Sequence, residues 1–271
     1  MLFLRNPISF CSRMAKIYFF KQPLIVFLFL LVLFYSCSSE YVSPDDLSDV
    51  NKVAILKSDN LPFTGCCRKY NKDNKIEFEK KYKNGKLNGI FIRYFDNGNV
   101  SNEVNFVNGN PTGYKQYFPN KKLKAEKTDD EKNQHLTTWF ENGNKNLEQY
   151  LLNNILNGKS EQWFDNGQLE LSCTYKNNKQ EDEFSAYHKN GKKKIEGNYT
   201  NGNLDGNWKT YNEKGQIISD EKYNFGKKIG TWYYYFENGN KRAKVIYKDG
   251  LIKENKEWNE SGKLINSFFA D

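Results

Sequence analysis

From about residue 59 onward, apolar and polar positions alternate in short runs, and glycine cuts the runs at near-constant intervals. Ile90, Ile92 and Tyr94 fall on one side of such a run and Phe91, Arg93 and Phe95 on the other, as in a strand whose successive side chains point to opposite faces. The arrangement recurs. Tyr70, Tyr94, Tyr117, Trp139, Trp163, Tyr187, Tyr211, Tyr235 and Trp258 each stand four residues before a turn residue, in steps of 22 to 24 residues. Self-similarity at this period marks a repeat array, and no window within it sustains a helical period.

Two turns punctuate each unit. The first is written Asn97-Gly98, Asn142-Gly143, Asn166-Gly167, Asn190-Gly191 and Asn238-Gly239, the signal of a two-residue type I′ hairpin in which both central residues take positive φ. The second reads as a looser turn, as in 84–89, 201–206 and 226–230. Between turns lie Tyr, Phe, Trp, Ile and Val mixed with Lys, Glu and Thr, which suits half-exposed strands. The predicted fold is therefore all-β, an elongated antiparallel β-meander of about nine hairpin repeats over residues 59–271. Residues 129–133 and 177–180 depart from the turn pattern, and Phe268-Phe269 suits a capping edge.

The units resemble the bacterial variant of the MORN repeat and the YwqK-like family of toxin–antitoxin antitoxins, most closely at Gly206-Asn207-Trp208-Lys209-Thr210-Tyr211 and Gly230-Thr231-Trp232-Tyr233-Tyr234-Tyr235. Leu61-Pro62-Phe63-Thr64-Gly65 is similar to the entry of a first repeat. The resemblance implies a non-catalytic repeat protein, and an antitoxin or immunity role in which the partner is a toxin. Architecture of this kind does not fix function.

Ahead of the repeats, the apolar run of residues 24–35 follows Arg13, Lys16 and Lys21 and is followed by Ser36-Cys37. That pattern reads as a signal peptide over residues 1–36, and its run of about a dozen residues falls short of the ~20 that span a bilayer. Cys37, directly after a small residue, resembles a lipobox cysteine. Lipidation there predicts an exported protein anchored through its lipid in the bacterial cell envelope, on the outer membrane or facing the periplasm. Residues 37–58 read as a tether, with Val53 to Leu56 as a lone strand, or as a short helix opened at Ser43-Pro44 with Leu47, Val50 and Ala54 on its apolar stripe.

Composition narrows the chemistry. The chain carries 41 Lys and Arg against 33 Asp and Glu. Loss of residues 1–36 removes four of the basic residues, 41 − 4 = 37, and leaves +4, so no nucleic-acid partner is expected. Cys66, Cys67 and Cys173 have no metal spacing and read as small buried apolar residues. Only His135 and His188 are present, and His188 stands where other units place Phe95, Phe164 and Phe236. Neither lies in a catalytic motif, so no enzyme activity, metal or cofactor is predicted.

Two aromatic columns remain. The uniform one, from Tyr70 to Trp258, reads as a stacking spine. The less uniform one, through Phe91, Tyr114, Phe184, Trp208 and Trp232, leaves Trp208, Trp232 and Tyr234 as the predicted centre of a face that binds a protein or a surface polymer.

Overall fold

The computed structural model describes residues 41–130 and 132–270. The signal peptide predicted at 1–36 and the lipidation predicted at Cys37 lie outside the described residues.

From Gly65–Tyr70 the chain runs as one meander to Leu264–Phe269, each long strand antiparallel to the one before it. Tyr41–Val42 adds a parallel strand beside Cys66 and Cys67. The all-β expectation holds, and the only helical element among the described residues is the 3-10 turn Pro44–Asp46.

Residues 41–62 are more ordered than a tether and are not helical beyond that turn. Ser43 caps it, its hydroxyl accepting from the Asp45 amide at 3.3 Å while Asp46 accepts from the Ser43 amide at 2.9 Å. Leu47–Val50, Val53–Leu56 and Leu61–Pro62 then form a small antiparallel sheet. Asn51 and Lys52 both take positive φ, 54° and 65°, so the chain reverses where a helix would have continued. The small sheet is hydrogen-bonded to the first repeat, Ala54 N–H to the Gly85 carbonyl at 2.8 Å and Gly85 N–H to the Phe63 carbonyl at 2.7 Å. Ala54 and Phe63 are buried there.

The two turns of each unit exchange the roles read from sequence. Asn97, Asn142, Asn166, Asn190 and Asn238 precede a left-handed glycine, but in each case only the glycine has positive φ. Gly98 N–H bonds the Phe95 carbonyl and Phe95 N–H bonds the Asn99 carbonyl, a four-residue turn closed by a bulge. The two-residue hairpins with both residues at positive φ are instead Asn84-Gly85, Asn108-Gly109, Asn201-Gly202, Phe225-Gly226 and Asp249-Gly250, and also Asn153-Asn154 and Asn177-Asn178.

Asparagine at the bulged turn has a different purpose. Asn166 Oδ1 accepts from the Gln168 amide at 3.0 Å, and its Nδ2 donates to the Lys189 carbonyl of the next unit at 2.9 Å. Asn142, Asn190 and Asn238 repeat this clasp onto Asp165, Glu213 and Glu260. On the opposite edge, the amides of Gly109, Gly202, Gly226 and Gly250 bond the carbonyls of Leu87, Gln180, Leu204 and Lys228. Both edges of the meander are thus stitched from unit to unit.

The long sheet has a packed face and a polar face. Along the packed face, cross-strand neighbours run Leu136, Gln149, Ser160, Cys173, Phe184 and Gly197, and further on Trp232, Val245, Asn255 and Phe268. Cys67, Cys173, Ser160, Val245 and Trp232 are buried on it. A second column, absent from the sequence reading, completes this core: Tyr199 packs edge-on against Phe184 and Trp208, and Tyr223 and Tyr247 flank Trp232 at ring distances of 5.0 and 4.7 Å. Cys66, Cys67 and Cys173 are buried, as expected of small apolar residues.

Candidate binding surface

The three residues expected to centre a binding face belong to the core. Trp232 is 2% exposed and is, with Cys67, the most deeply buried large side chain among the described residues. Its indole N–H donates to the carbonyls of Lys222 and Ile229, at 3.0 and 3.2 Å, and Lys228 lies 4.7 Å over its ring. A ring so enclosed offers nothing to a partner. Trp208 is half-buried, stacked on Phe184 at 5.4 Å and held by an N–H bond to the Asn198 carbonyl. Tyr234 borders Trp232 at 6.4 Å, and burial, with Glu221 nearby, pushes its hydroxyl up to about 12. The less uniform column carries the packing because the large rings in it need gaps opposite them: Gly197 lies under Trp208, where a Cβ would come within 2.4 Å of the indole.

The uniform column, read as a stacking spine, lies on the polar face and does not stack. Successive members are two strands apart, about 9.6 Å at the usual strand spacing, too far for ring contact. Each follows a register shift at the hairpin end, as between Arg93 and Tyr94 or Thr210 and Tyr211. Tyr70 is exposed and the rest of the column is half-buried.

What holds three of these rings is a row of carboxylates. The Tyr94 hydroxyl donates to Glu79 at 3.0 Å, Tyr117 to Glu103 at 3.0 Å and Tyr211 to Glu196 at 2.5 Å, each across one strand pair. Burial and these acceptors push all three phenols from 10.0 up to about 12. At Trp139 and Trp163 the matching carboxylate is satisfied by a base instead: Glu126 by Lys115 at 3.3 Å, and Glu148 by Lys145 and His135 at 2.8 and 2.9 Å. Lys145 and His135 hold the Glu148 carboxyl below the usual carboxylate range.

These carboxylates belong to one unbroken cross-strand row, which includes Arg68, Glu79, Ile92, Glu103, Lys115 and Glu126 and ends at Ser267. The row was not read from the sequence. Its signal was available: Glu79, Glu103, Glu126, Glu148, Glu196 and Asp220 recur 13 to 15 residues before the column aromatics.

Two open clefts indent this face. One, of about 370 Å³, lies over Gly113 and is lined by Ile90, Glu103, Asn105, Lys115 and Glu126. The other, of about 310 Å³, is lined by Ser185, Glu196, Asn198, Asn207 and Lys209. Each includes the carboxylate that holds a column tyrosine, Glu103 for Tyr117 and Glu196 for Tyr211. Among the described residues no cluster of His, Cys, Asp and Glu is arranged to hold a metal ion.

Comparison with known proteins agrees with the repeat. Five stretches, 87–108, 156–177, 183–201, 204–224 and 228–249, match the family described as MORN repeat variant. No curated protein matches the chain. Among solved structures, the crystal structure of TcdB2-TccC3-Cdc42 is 11% identical over 82% of this chain at a TM-score of 0.18. The Photorhabdus luminescens Tc holotoxin pore carrying TccC3-D651A is 13% identical over 80%, also at 0.18. The chain spans only 16% and 15% of those chains, and so loose a superposition carries no argument.

Proposed function

We propose that this scaffold of MORN-variant repeats is a non-catalytic binding protein whose contact surface is the polar face, with the aromatic column from Tyr70 to Trp258 as its centre. The observation that carries this reading is that column: one exposed or half-exposed aromatic per hairpin on the polar face, with Tyr94, Tyr117 and Tyr211 each tied through the hydroxyl to a carboxylate. Half-exposed Tyr and Trp are favoured contact residues, since they offer large area for little lost conformational freedom. A protein or a surface polymer is the class of partner this suits, and Cys37, if lipidated, would hold the face at the cell envelope. An antitoxin role rests on the family resemblance and has no separate support.

The test replaces Tyr94, Trp139 and Trp163 together with Ser and compares capture of cross-linked envelope material with that of the parent chain. Binding should be lost while the β-sheet circular dichroism spectrum is kept. Undiminished capture would show that the polar face is not the contact surface.

A further inference from the structure

The dipeptide Asn-Gly stands in two kinds of turn, and the fold treats its side chain differently in each. We infer that Asn108-Gly109 and Asn201-Gly202 are sites of spontaneous deamidation to aspartate and isoaspartate, and that the clasped Asn-Gly turns are protected from it. The inference is independent of what the array binds.

Glycine after asparagine favours this chemistry, because no side chain on the second residue hinders the approach. The glycine backbone nitrogen attacks the asparagine Cγ, the new N–Cγ bond closes a five-membered succinimide, and the Cγ–Nδ2 bond breaks. Ammonia leaves with the proton that the glycine nitrogen gives up. Water then opens either carbonyl of the ring, leaving aspartate or isoaspartate, and in isoaspartate the backbone runs through Cβ and Cγ and is longer by one methylene. Water is the sole co-reactant, and nothing is oxidised or reduced.

Attack requires the side chain to swing until Cγ lies over the glycine nitrogen. At the bulged turns it is held at both ends. Asn97 Oδ1 accepts from the Asn99 amide at 3.0 Å while its Nδ2 donates to the Pro119 carbonyl at 3.2 Å. Asn142, Asn166, Asn190 and Asn238 are held by the same pair of bonds. At the two-residue hairpins, Asn108 and Asn201 take φ of 51° and 52° and bond through the backbone, their amides donating to Asn88 Oδ1 at 3.2 Å and Glu181 Oε2 at 2.7 Å. Among the described residues, none holds the side chain of either.

Exposure does not separate the two classes, since both residues of every one of these turns are exposed. The attacking nitrogen does not separate them either: Gly98 N–H bonds the Phe95 carbonyl, and Gly109 N–H bonds the Leu87 carbonyl. What differs is the clasp, whose two hydrogen bonds must break before attack, which corresponds to roughly tenfold or more in rate. Asn84-Gly85 is also a two-residue hairpin, but its glycine is buried against Val53 and Ala54.

Conversion acts on the stitched edge of the array. Gly109 N–H bonds the Leu87 carbonyl at 2.7 Å, and Gly202 N–H bonds the Gln180 carbonyl at 2.8 Å. An added methylene inside a two-residue hairpin displaces that amide. At residue 201 the new carboxylate also appears on a residue whose backbone amide is bonded to Glu181, so like charge adds to the lost register. Each conversion therefore opens one stitch between units.

The test holds the full chain for weeks in mildly alkaline buffer, folded or in denaturant, and maps its peptides by mass spectrometry with isoaspartate resolved by chromatography. In the folded chain Asn108 and Asn201 should convert at least about tenfold faster than Asn97, Asn142, Asn166, Asn190 and Asn238. The difference should disappear in denaturant, where the clasps are gone. Equal rates in the folded chain, or a difference that persists in denaturant, would overturn the assignment. Hydrogen exchange on the fraction converted at residue 201 reads the consequence: the Gly202 amide should lose protection, and unchanged protection would overturn the opening of the stitch.

Discussion

The indole of Trp208 lies across Gly197 of the adjacent strand, so that a Cβ at residue 197 would stand 2.4 Å from two of its ring carbons. Gly197 does not need positive φ. It is glycine because the ring occupies the space. Gly197→Ala should destabilise the array by about 1 to 3 kcal/mol, the usual cost of overpacking. Combined with Trp208→Ala, the added cost of the methyl should largely vanish, which denaturation of the four members of the cycle would measure.

Trp232 and Tyr235 stand three residues apart on one strand and on opposite faces. Trp232→Ala should cost about 3 to 5 kcal/mol, as for a core aromatic, and Tyr235→Ala about 1 kcal/mol or less. Equal thermal shifts would show that the two faces share the packing.

Much of this was legible in the sequence, and the part that was not has a definite cause. The period, the strands and the buried cysteines follow from spacing and alternation. Which face is the core does not, because in a single-layer sheet both faces carry rings. The uniform column from Tyr70 to Trp258 looked like a spine, yet it lies on the polar face, where Tyr94, Tyr117 and Tyr211 are held by Glu79, Glu103 and Glu196 and not by one another. The true core is irregular because Trp208 demands Gly197 while Trp232 is enclosed by Tyr223 and Tyr247. Asn-Gly misled similarly: at residues 166 and 167 the asparagine is chosen for its side-chain clasp, not for its backbone angles.

Phe225 occupies a hairpin position held in other units by Asn or Asp, at φ 47° and with 58% of its surface exposed. A bulky side chain in the left-handed region costs about 1 to 2 kcal/mol. Phe225→Asn should therefore raise stability by about 1 kcal/mol, seen as a higher denaturation midpoint with unchanged slope. A fall in stability would mean that the exposed ring makes up the backbone cost elsewhere.

The clasp of Asn166 can be separated from its turn. Asn166→Asp keeps the acceptor for the Gln168 amide but turns a carboxylate toward the Lys189 carbonyl, so it should destabilise at least as much as Asn166→Ala, about 1 to 2 kcal/mol. A wild-type melting temperature for the Asp variant would show that only the local turn bond matters.

Alkaline stability should follow the tied phenols. In the folded chain Tyr94, Tyr117 and Tyr211 are raised from 10.0 to about 12, so their contribution is complete below pH 10.0 and is lost as pH rises to about 12. At the other extreme, Lys193 and Tyr211 hold Glu196 below the ordinary carboxylate value, and its contribution is present above that value and lost as pH falls through the depressed one. The melting temperature should drop in step with tyrosinate absorbance between pH 10 and 12. Replacing the three tyrosines with Phe should flatten that limb, and an unchanged limb would refute the assignment.

The clasps along the two edges also decide how such a molecule can change length. Each joins a unit to the next across 20 to 23 residues, so a one-residue slip in any hairpin would misplace the contacts of both its neighbours. Removal of residues 188–211, by contrast, would join Tyr187 directly to Asn212, which stands in the unit where His188 stands, and every clasp would find an equivalent partner. The array is modular in whole hairpins: evolution or an engineer can count units in or out, and with them the length of the polar face, but cannot trim it by fractions.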